Sequence, residues 1–274
     1  MHSYRDRLDA AVASRGPLCV GIDPHPGLIA QWGLPGDVNG LERFARGTVE
    51  ALGEQVAVFK PQSAFFEVFG SRGIAVLEQV LADIRDRGAL SLLDAKRGDI
   101  GSTMAGYAEA YLSDGPLAVD AITLSPFLGF ESLRPALDLA RSNGRGVYVL
   151  ARTSNPEGHE VQLSRPQQGA VTVSQSIIDQ AQAENQANAE NQQGSHHVGL
   201  VVGGTHADLK VDLTGFTASI LVPGIGAQGG TISGLAQRFT ASGLRLLPTA
   251  SRDVLGAGPD PQALRAAARA VSQS

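Results

Sequence analysis

The chain has 274 residues, of which 43% are hydrophobic and 18% charged, and its formal net charge is −5. This acidic balance argues against nucleic acid or an anionic membrane as a partner, because both usually require a basic face. The one cysteine, Cys19, excludes a disulfide framework or a thiolate metal cluster within the chain. The start has no apolar leader core and no run reaches about 20 apolar residues, so we expect a cytoplasmic protein.

Eight short apolar runs recur along the chain and predict parallel strands that are covered on both faces. They lie at 18–22, 56–60, 90–96, 121–125, 147–151, 198–202, 219–222 and 244–248. Segments with the apolar spacing of amphipathic helices lie between them. The clearest is 71–87, which Gly88 is placed to end. Further helices are predicted at 41–52, 101–112, 130–142, 232–242 and 261–271, with an extra helix before the first strand.

The segment 174–193 differs from the rest because it is rich in Gln, Asn and Ala. Ala, Gln and Glu favour a helix, so we predict an extended fifth outer helix with a polar, solvated face. A flexible loop is the alternative. No chemistry is assigned to this segment.

The alternation of strands and helices predicts an α/β protein with a parallel sheet. Eight repeats in about 250 residues favour a single (β/α)8 TIM barrel, which we expect to span residues 1–274 as one domain. The alternative is a doubly wound open sheet, but no Gly-x-Gly-x-x-Gly follows the first strand.

Several polar residues stand where the predicted strands end, and a barrel of this kind carries its reacting groups there. They are Asp23, Lys60, Asp94, Lys96, Asp99 and Ser125. Asp94 and Lys96 are two apart on one strand and therefore project to the same face, where Lys60 can reach Asp94. A row of charges this dense is costly as a stability device alone. The alternative is a structural ion-pair network, with Asp99 capping the next helix.

Glycines follow the seventh predicted strand and an arginine follows the eighth, which is the usual phosphate-binding position in these barrels. Gly224 and Gly226 would let backbone N–H groups approach an anion, and Arg252 could add a bidentate contact. The alternative is a pair of glycine turns beside a surface arginine.

The segment 94–103, Asp-Ala-Lys-Arg-Gly-Asp-Ile-Gly-Ser-Thr, resembles the signature of orotidine 5′-phosphate decarboxylase. Further motifs resemble the longer bacterial branch of that family and appear in the same order along the chain. They are Phe-Lys-Pro at 59–61, Leu-Ser-Pro at 124–126, Arg-Thr-Ser-Asn-Pro at 152–156, Pro-Gly-Ile-Gly-Ala-Gln-Gly at 223–229 and Ser-Arg at 251–252.

The resemblance implies loss of CO2 from orotidine 5′-phosphate to give UMP, the last step of de novo pyrimidine synthesis, without metal or cofactor. It implies that Lys96 donates a proton to C6, that Asp94 lies against the departing carboxylate, and that Lys60 orients Asp94 and reaches the ribose. It also implies a homodimer in which each site borrows three residues from the partner chain. These are Asp99, Ile100 and Thr103.

For substrate binding, the resemblance implies that Asp23 holds a ribose hydroxyl and Ser125 the pyrimidine. Gln228 and Arg252 would hold the phosphate, with Ser251 beside them and Pro223 on the loop that closes over it. The resemblance names no role for residues 152–155.

Three other functions stay open at this point. A sugar-phosphate decarboxylase of the same superfamily would use magnesium and an acidic ligand near the end of the second strand, where this chain has Lys60. A Schiff-base aldolase would need an unprotonated lysine, which flanking carboxylates oppose. A non-catalytic phospholigand-binding barrel is the third, since a fold alone does not establish activity.

Overall fold

The computed structural model describes residues 2–166, 169–190, 196–206, 208–225, 231–239 and 245–274. Eight parallel strands form a closed barrel in which each strand pairs with the next along the chain and the eighth pairs with the first. This confirms the predicted (β/α)8 barrel and excludes the open sheet. The strands are Cys19–Ile22 (β1), Val58–Pro61 (β2), Leu90–Arg97 (β3), Ala121–Leu124 (β4), Gly146–Arg152 (β5), Val198–Val202 (β6), Ser219–Pro223 (β7) and Arg245–Ala250 (β8).

Helices lie before, between and after the strands. Within the described ranges they are Tyr4–Arg15 (α1), Pro26–Gln31 (α2), Val38–Leu52 (α3), Ser63–Glu67 (α4), Gly70–Asp86 (α5), Gly101–Leu112 (α6), Arg134–Ser142 (α7), His159–Gln162 (α8), Val173–Glu190 (α9), Ile232–Arg238 (α10), Arg252–Leu255 (α11) and Pro261–Ser272 (α12). The predicted helix 130–142 begins as a 3-10 turn, Phe130–Leu133, before α7. The Gln/Asn-rich segment forms α9 as far as Glu190, and residues 191–193 lie outside the described residues.

The outer helices pack one apolar face against the barrel. In α3 the Asp37 carboxylate accepts hydrogen bonds from the backbone N–H groups of Asn39 and Gly40, which begins the helix. Leu41, Phe44 and other apolar residues on one face of α3 are then fully buried. This burial of an apolar stripe, rather than helix propensity alone, stabilises such helices.

The extra N-terminal helix closes one end of the barrel. Tyr4 and Leu8 of α1 are buried among side chains of the barrel interior. The Tyr4 and Tyr148 hydroxyls are 2.9 Å apart, and the Tyr148 hydroxyl lies 2.7 Å from Ser219 Oγ. Since Tyr148 and Ser219 stand at the starts of β5 and β7, α1 covers the amino ends of the strands. The carboxyl ends are therefore left for the site.

None of the helices in the described ranges is long and apolar enough to cross a lipid bilayer.

Candidate active site

Three charged side chains form a row at the carboxyl ends of β2 and β3. Lys60 Nζ donates to Asp94 Oδ2 at 3.0 Å, and Lys96 Nζ donates to Asp94 Oδ1 at 2.6 Å. Asp23, just beyond β1, extends the row with Oδ1 3.9 Å from Lys60 Nζ. The structure thus brings together the alternating acids and amines that the sequence pattern placed at these strand ends.

The depth of the row is uneven. The side chains of Lys60 and Asp94 are only 6% and 12% exposed, whereas that of Lys96 is 45% exposed. Asp94 is therefore held at the bottom of the barrel mouth while the Lys96 ammonium is open to a ligand above it. An ammonium that is both fixed by a carboxylate and accessible can stabilise negative charge on a ligand and donate a proton to it.

Burial and charge act against each other in this row. Burial alone would raise the pKa of Asp94, but the ammonium groups of Lys60 and Lys96 outweigh it and hold that pKa well below its ordinary value. Burial alone would lower the pKa of Lys60, but the carboxylates of Asp23 and Asp94 hold it well above its ordinary value. Asp94 and Lys60 are therefore both charged at neutral pH.

Strand β3 is irregular where it carries the row. Leu93 pairs with Ile122 of β4, but the next pair along is Arg97 with Leu124. Three residues of β3 therefore face one residue of β4, and the regular ladder cannot satisfy all their N–H groups. Within this bulge Lys96 has a φ of 47°, in the left-handed region that residues other than glycine seldom adopt.

Thr123 is the β4 residue that faces the bulge, and the sequence reasoning did not identify it. Its hydroxyl accepts hydrogen bonds from the backbone N–H groups of Ala95 and Lys96, at 3.1 and 2.9 Å. The same hydroxyl donates to Asp94 Oδ1 at 2.9 Å. The only sequence signal for it was one polar residue inside the apolar run at 121–124.

Two polar atoms at the junction of β8 and β1 are buried without a hydrogen-bond partner in the part of the chain that the structure describes. They are Ser251 Oγ and Asp23 Oδ1. A side chain at Gly21 would meet the Ser251 Cβ at 3.0 Å, so glycine is needed there to leave space. Buried polar atoms without partners are uncommon in folded proteins and point to a ligand that would satisfy them.

Three further residues predicted to contact a substrate stand at or just beyond the carboxyl ends of β4, β7 and β8. Arg252 is exposed at the start of α11, Pro223 ends β7 and is half-buried, and Ser125 is half-buried just after β4. The Ser125 N–H donates to the Arg97 carbonyl at 2.7 Å. Gln228 lies outside the described residues, as does Gly226.

Asp99, Ile100 and Thr103 do not join the row within one chain. Ile100 is 61% exposed and Thr103 is exposed on the first turn of α6. Asp99 Oδ1 accepts from the Ile100 N–H at 2.8 Å, and Ile100, rather than Asp99, is the N-cap residue of α6. The alternative of a simple helix cap by Asp99 is therefore wrong.

A second cationic group lies at the end of β5. The Arg152 side chain is fully buried, and its Nη1 donates to Gln162 Oε1 at 3.1 Å while Nη2 lies 2.6 Å from His159 Nε2. Gln162 Oε1 also accepts from the Thr153 N–H at 3.0 Å. Arg152 thus ties the loop that follows β5 to helix α8, and this structural role accounts for part of a motif to which the sequence analysis assigned none.

No group of three or more His, Cys, Asp or Glu side chains within the described ranges is arranged to hold a metal ion.

The comparisons with known proteins agree with one another. Residues 16–267 match the model of the "Orotidine 5'-phosphate decarboxylase / HUMPS family". The chain is similar to a protein from Salinispora arenicola named orotidine 5′-phosphate decarboxylase, at 56% identity over 99% of this chain and 96% of the relative. A Streptomyces coelicolor protein of the same name is 54% identical over 98% of this chain and 95% of its own.

A crystal structure from Streptomyces avermitilis, provisionally named an orotidine 5′-phosphate decarboxylase, superposes with a TM-score of 0.93. It is 54% identical and covers 100% of this chain and 94% of its own. Both the sequence and the arrangement of the barrel are therefore similar to this group of proteins.

Proposed function

This chain belongs to the orotidine 5′-phosphate decarboxylase / HUMPS family, and we infer that it converts orotidine 5′-phosphate to UMP and CO2, the final step of UMP biosynthesis. The observation that carries this proposal is the row of Lys60, Asp94 and Lys96, in which the first two side chains are buried and that of Lys96 is 45% exposed. The site residues, the mechanism and the dimer described below are parts of the same proposal.

The reaction needs a cation at one position. When the bond between C6 and the carboxylate breaks, CO2 leaves and an electron pair remains in the plane of the pyrimidine ring, where the π system cannot delocalise it. The Lys96 ammonium stabilises this pair and then donates a proton to C6, which gives UMP. Its bond of 2.6 Å to Asp94 fixes it before the substrate arrives.

Whereas Lys96 stabilises the charge that develops at C6, Asp94 destabilises the bound substrate. Its lowered pKa keeps it ionised, so it repels the substrate carboxylate that lies against it. This repulsion is present in the bound substrate and disappears as CO2 leaves, and only interactions that differ between these two states accelerate the reaction. Lys60 holds Asp94 in place and also lies 3.9 Å from Asp23, so the two side chains can contact the ribose together.

One ion pair does not account for the whole acceleration. A pair at about 4 Å supplies about 4 kcal/mol at a protein-like dielectric, whereas very slow reactions need a reduction of about 20 kcal/mol. The remainder comes from the whole preorganised row and from binding of the phosphate, which drives closure of the site.

Arg252 and Gln228 hold the phosphate in this proposal, with Pro223 on the closing loop. Support for a ligand on this side comes from Ser251 Oγ, which is buried and unpartnered in the described part of the chain. Ser125, to which the family resemblance assigns the pyrimidine, follows β4 next to the strand that carries Asp94 and Lys96.

A homodimer with shared sites is supported by an exposed apolar rim. Exposed apolar side chains follow each of three consecutive strands, β2 to β4. These are Val68, Ile100, Phe127 and Leu128, and Phe127 is 77% exposed. Apolar side chains exposed beyond the ends of neighbouring strands are what an interface at this edge of the barrel would require. A partner chain on this rim would receive Asp99, Ile100 and Thr103 from this chain at its own site.

The competing enzyme functions fit the row less well. Magnesium at the end of β2 would be repelled by the Lys60 ammonium, which is charged because its pKa is raised. A Schiff base requires a lysine without a proton, and Lys60 and Lys96 both donate to Asp94. We also propose a cytoplasmic location, because the product is a precursor for nucleic-acid synthesis inside the cell.

The test is an ultraviolet assay of orotidine 5′-phosphate turnover in excess chelator. We expect full activity in the wild type and almost none in Lys96→Ala. Lys210→Ala is the matched control, because Lys210 is exposed and pairs with Asp208 on the surface, away from the row. Loss of wild-type activity in chelator would refute the metal-free proposal, and full activity in Lys96→Ala would remove Lys96 from its role.

A further inference from the structure

The Thr123 hydroxyl contacts both the bulge in β3 and the carboxylate of Asp94. A threonine hydroxyl has one donor proton and two acceptor lone pairs. The N–H groups of Ala95 and Lys96 can only donate, so they use the two lone pairs, and the proton is left for Asp94 Oδ1. The hydrogen-bonding capacity of Thr123 is thus completely used, and the direction of each bond is fixed.

The two N–H groups belong to the bulge in β3. Because three residues of β3 face Thr123 alone, neither N–H group has a carbonyl opposite it in the regular ladder. Thr123 itself is 1% exposed, so water has little access to these groups. An unpaired buried N–H group is strongly unfavourable, and the hydroxyl removes this cost from both.

The conformation of Lys96 depends on the same bonds. Its φ of 47° is unfavourable for a residue with a side chain, and such a conformation persists only where the surroundings impose it. The Thr123 bond to the Lys96 N–H, together with the Lys96 Nζ bond to Asp94, fixes this residue at both its backbone and its tip.

We propose that Thr123 is a positioning residue for the reaction, which holds Lys96 and Asp94 in the geometry that protonates C6. It acts through these two residues and does not itself touch the substrate. The proposal rests on the proposed function, since it assigns to Thr123 the alignment of the proton donor described above.

The test compares Thr123→Val with Thr123→Ser. Valine keeps the shape of threonine but removes all three hydrogen bonds, and serine keeps the hydroxyl. We expect kcat to fall by about 10- to 100-fold in Thr123→Val, as small displacements of reacting groups do. KM should change by less than about threefold, because no group that binds substrate is removed, and Thr123→Ser should restore most of kcat.

Thr48→Val is the matched control for a buried threonine. Thr48 is fully buried in α3, and its hydroxyl donates only to the Phe44 carbonyl, at 2.9 Å. We expect unchanged kcat in this variant. A readout independent of turnover is a crystal structure of Thr123→Val, in which Lys96 should leave its left-handed φ.

The outcomes separate this proposal from the function it rests on. Wild-type protein without turnover of orotidine 5′-phosphate would refute the function. An active wild type with Thr123→Val within twofold of it, or with serine and valine equally impaired, would overturn the role of Thr123 alone. If Thr123→Val does not fold, Thr123→Cys replaces it, because a thiol fills similar space but forms much weaker hydrogen bonds. Wild-type kcat in Thr123→Cys would then overturn the proposal.

Discussion

Replacing Asp94 by asparagine removes the one negative charge that two ammonium groups share. The loss of unfolding free energy depends mainly on Lys60, because its side chain is only 6% exposed and its bond to Asp94 is 3.0 Å. Loss of one partner of a buried ion pair costs about 3 to 5 kcal/mol, because the remaining charge stays buried. Lys60 retains Asp23 at 3.9 Å and can still donate to the asparagine oxygen, so we expect about 3 kcal/mol.

The bond from Lys96 adds little to this value although it is shorter. The Lys96 side chain is almost half exposed, and solvent screens such a pair to about 1 kcal/mol or less. A loss of about 3 kcal/mol lowers the melting temperature of a chain this size by about 6 to 12 °C.

Urea unfolding followed by circular dichroism measures the change, with Asp138→Asn as the control. Asp138 pairs with Arg134 and Arg141 at the surface and is 47% exposed, so its replacement should cost less than about 1 kcal/mol. Equal stabilities of Asp94→Asn and Asp138→Asn would refute the reasoning, because the Lys60 ammonium would then not depend on Asp94.

Three further predictions follow from the same structure. The pKa of Asp94 is lowered on folding, so its contribution to stability is complete above about pH 4 and is lost as the pH falls toward the pKa of the folded state. The loss of unfolding free energy in Asp94→Asn, measured in urea, should therefore be smaller at about pH 3.5 than at about pH 6. An equal loss at both pH values would contradict this. Orotidine, which lacks the phosphate, should lose far more in kcat/KM than in ground-state affinity, and steady-state kinetics with both compounds compares the two losses. Phe127→Asp should shift sedimentation toward the monomer and reduce activity at low protein concentration, whereas Val161→Asp, at another exposed apolar position, should do neither.

The barrel could be predicted from the sequence because its signals are local. Each strand is a short apolar run, and β6 begins and ends where the pattern places it, at 198 and 202. Where a strand boundary differs from the prediction, pairing with a neighbouring strand accounts for the difference. Strand β2 extends to Pro61 through its pairing with Ile22 of β1, and a pattern of apolar residues contains no information on pairing.

The charged residues of the site could also be predicted from the sequence, because charged residues that interrupt an apolar strand are easily recognised. Lys60, Asp94 and Lys96 stand out in this way. The bulge in β3 and the left-handed φ of Lys96 could not be predicted, because none of residues 94–97 is a glycine or a proline. Thr123 was missed for the same reason, since its importance comes only from the bulge opposite.

The charges of the row also restrict where substrate affinity can come from. Two ammonium groups, Lys60 and Lys96, face two carboxylates, Asp23 and Asp94, so the row within one chain is close to neutral. A neutral row gives little net attraction for an anionic substrate, and Asp99 from a partner chain would make it negative. Under the proposed function, affinity therefore comes from the proposed phosphate site around Arg252, while the row interacts most favourably with the charge that would appear at C6. Raised ionic strength should then increase KM through the exposed arginine and leave kcat nearly unchanged, because the closed complex with substrate would exclude solvent and ions from the row.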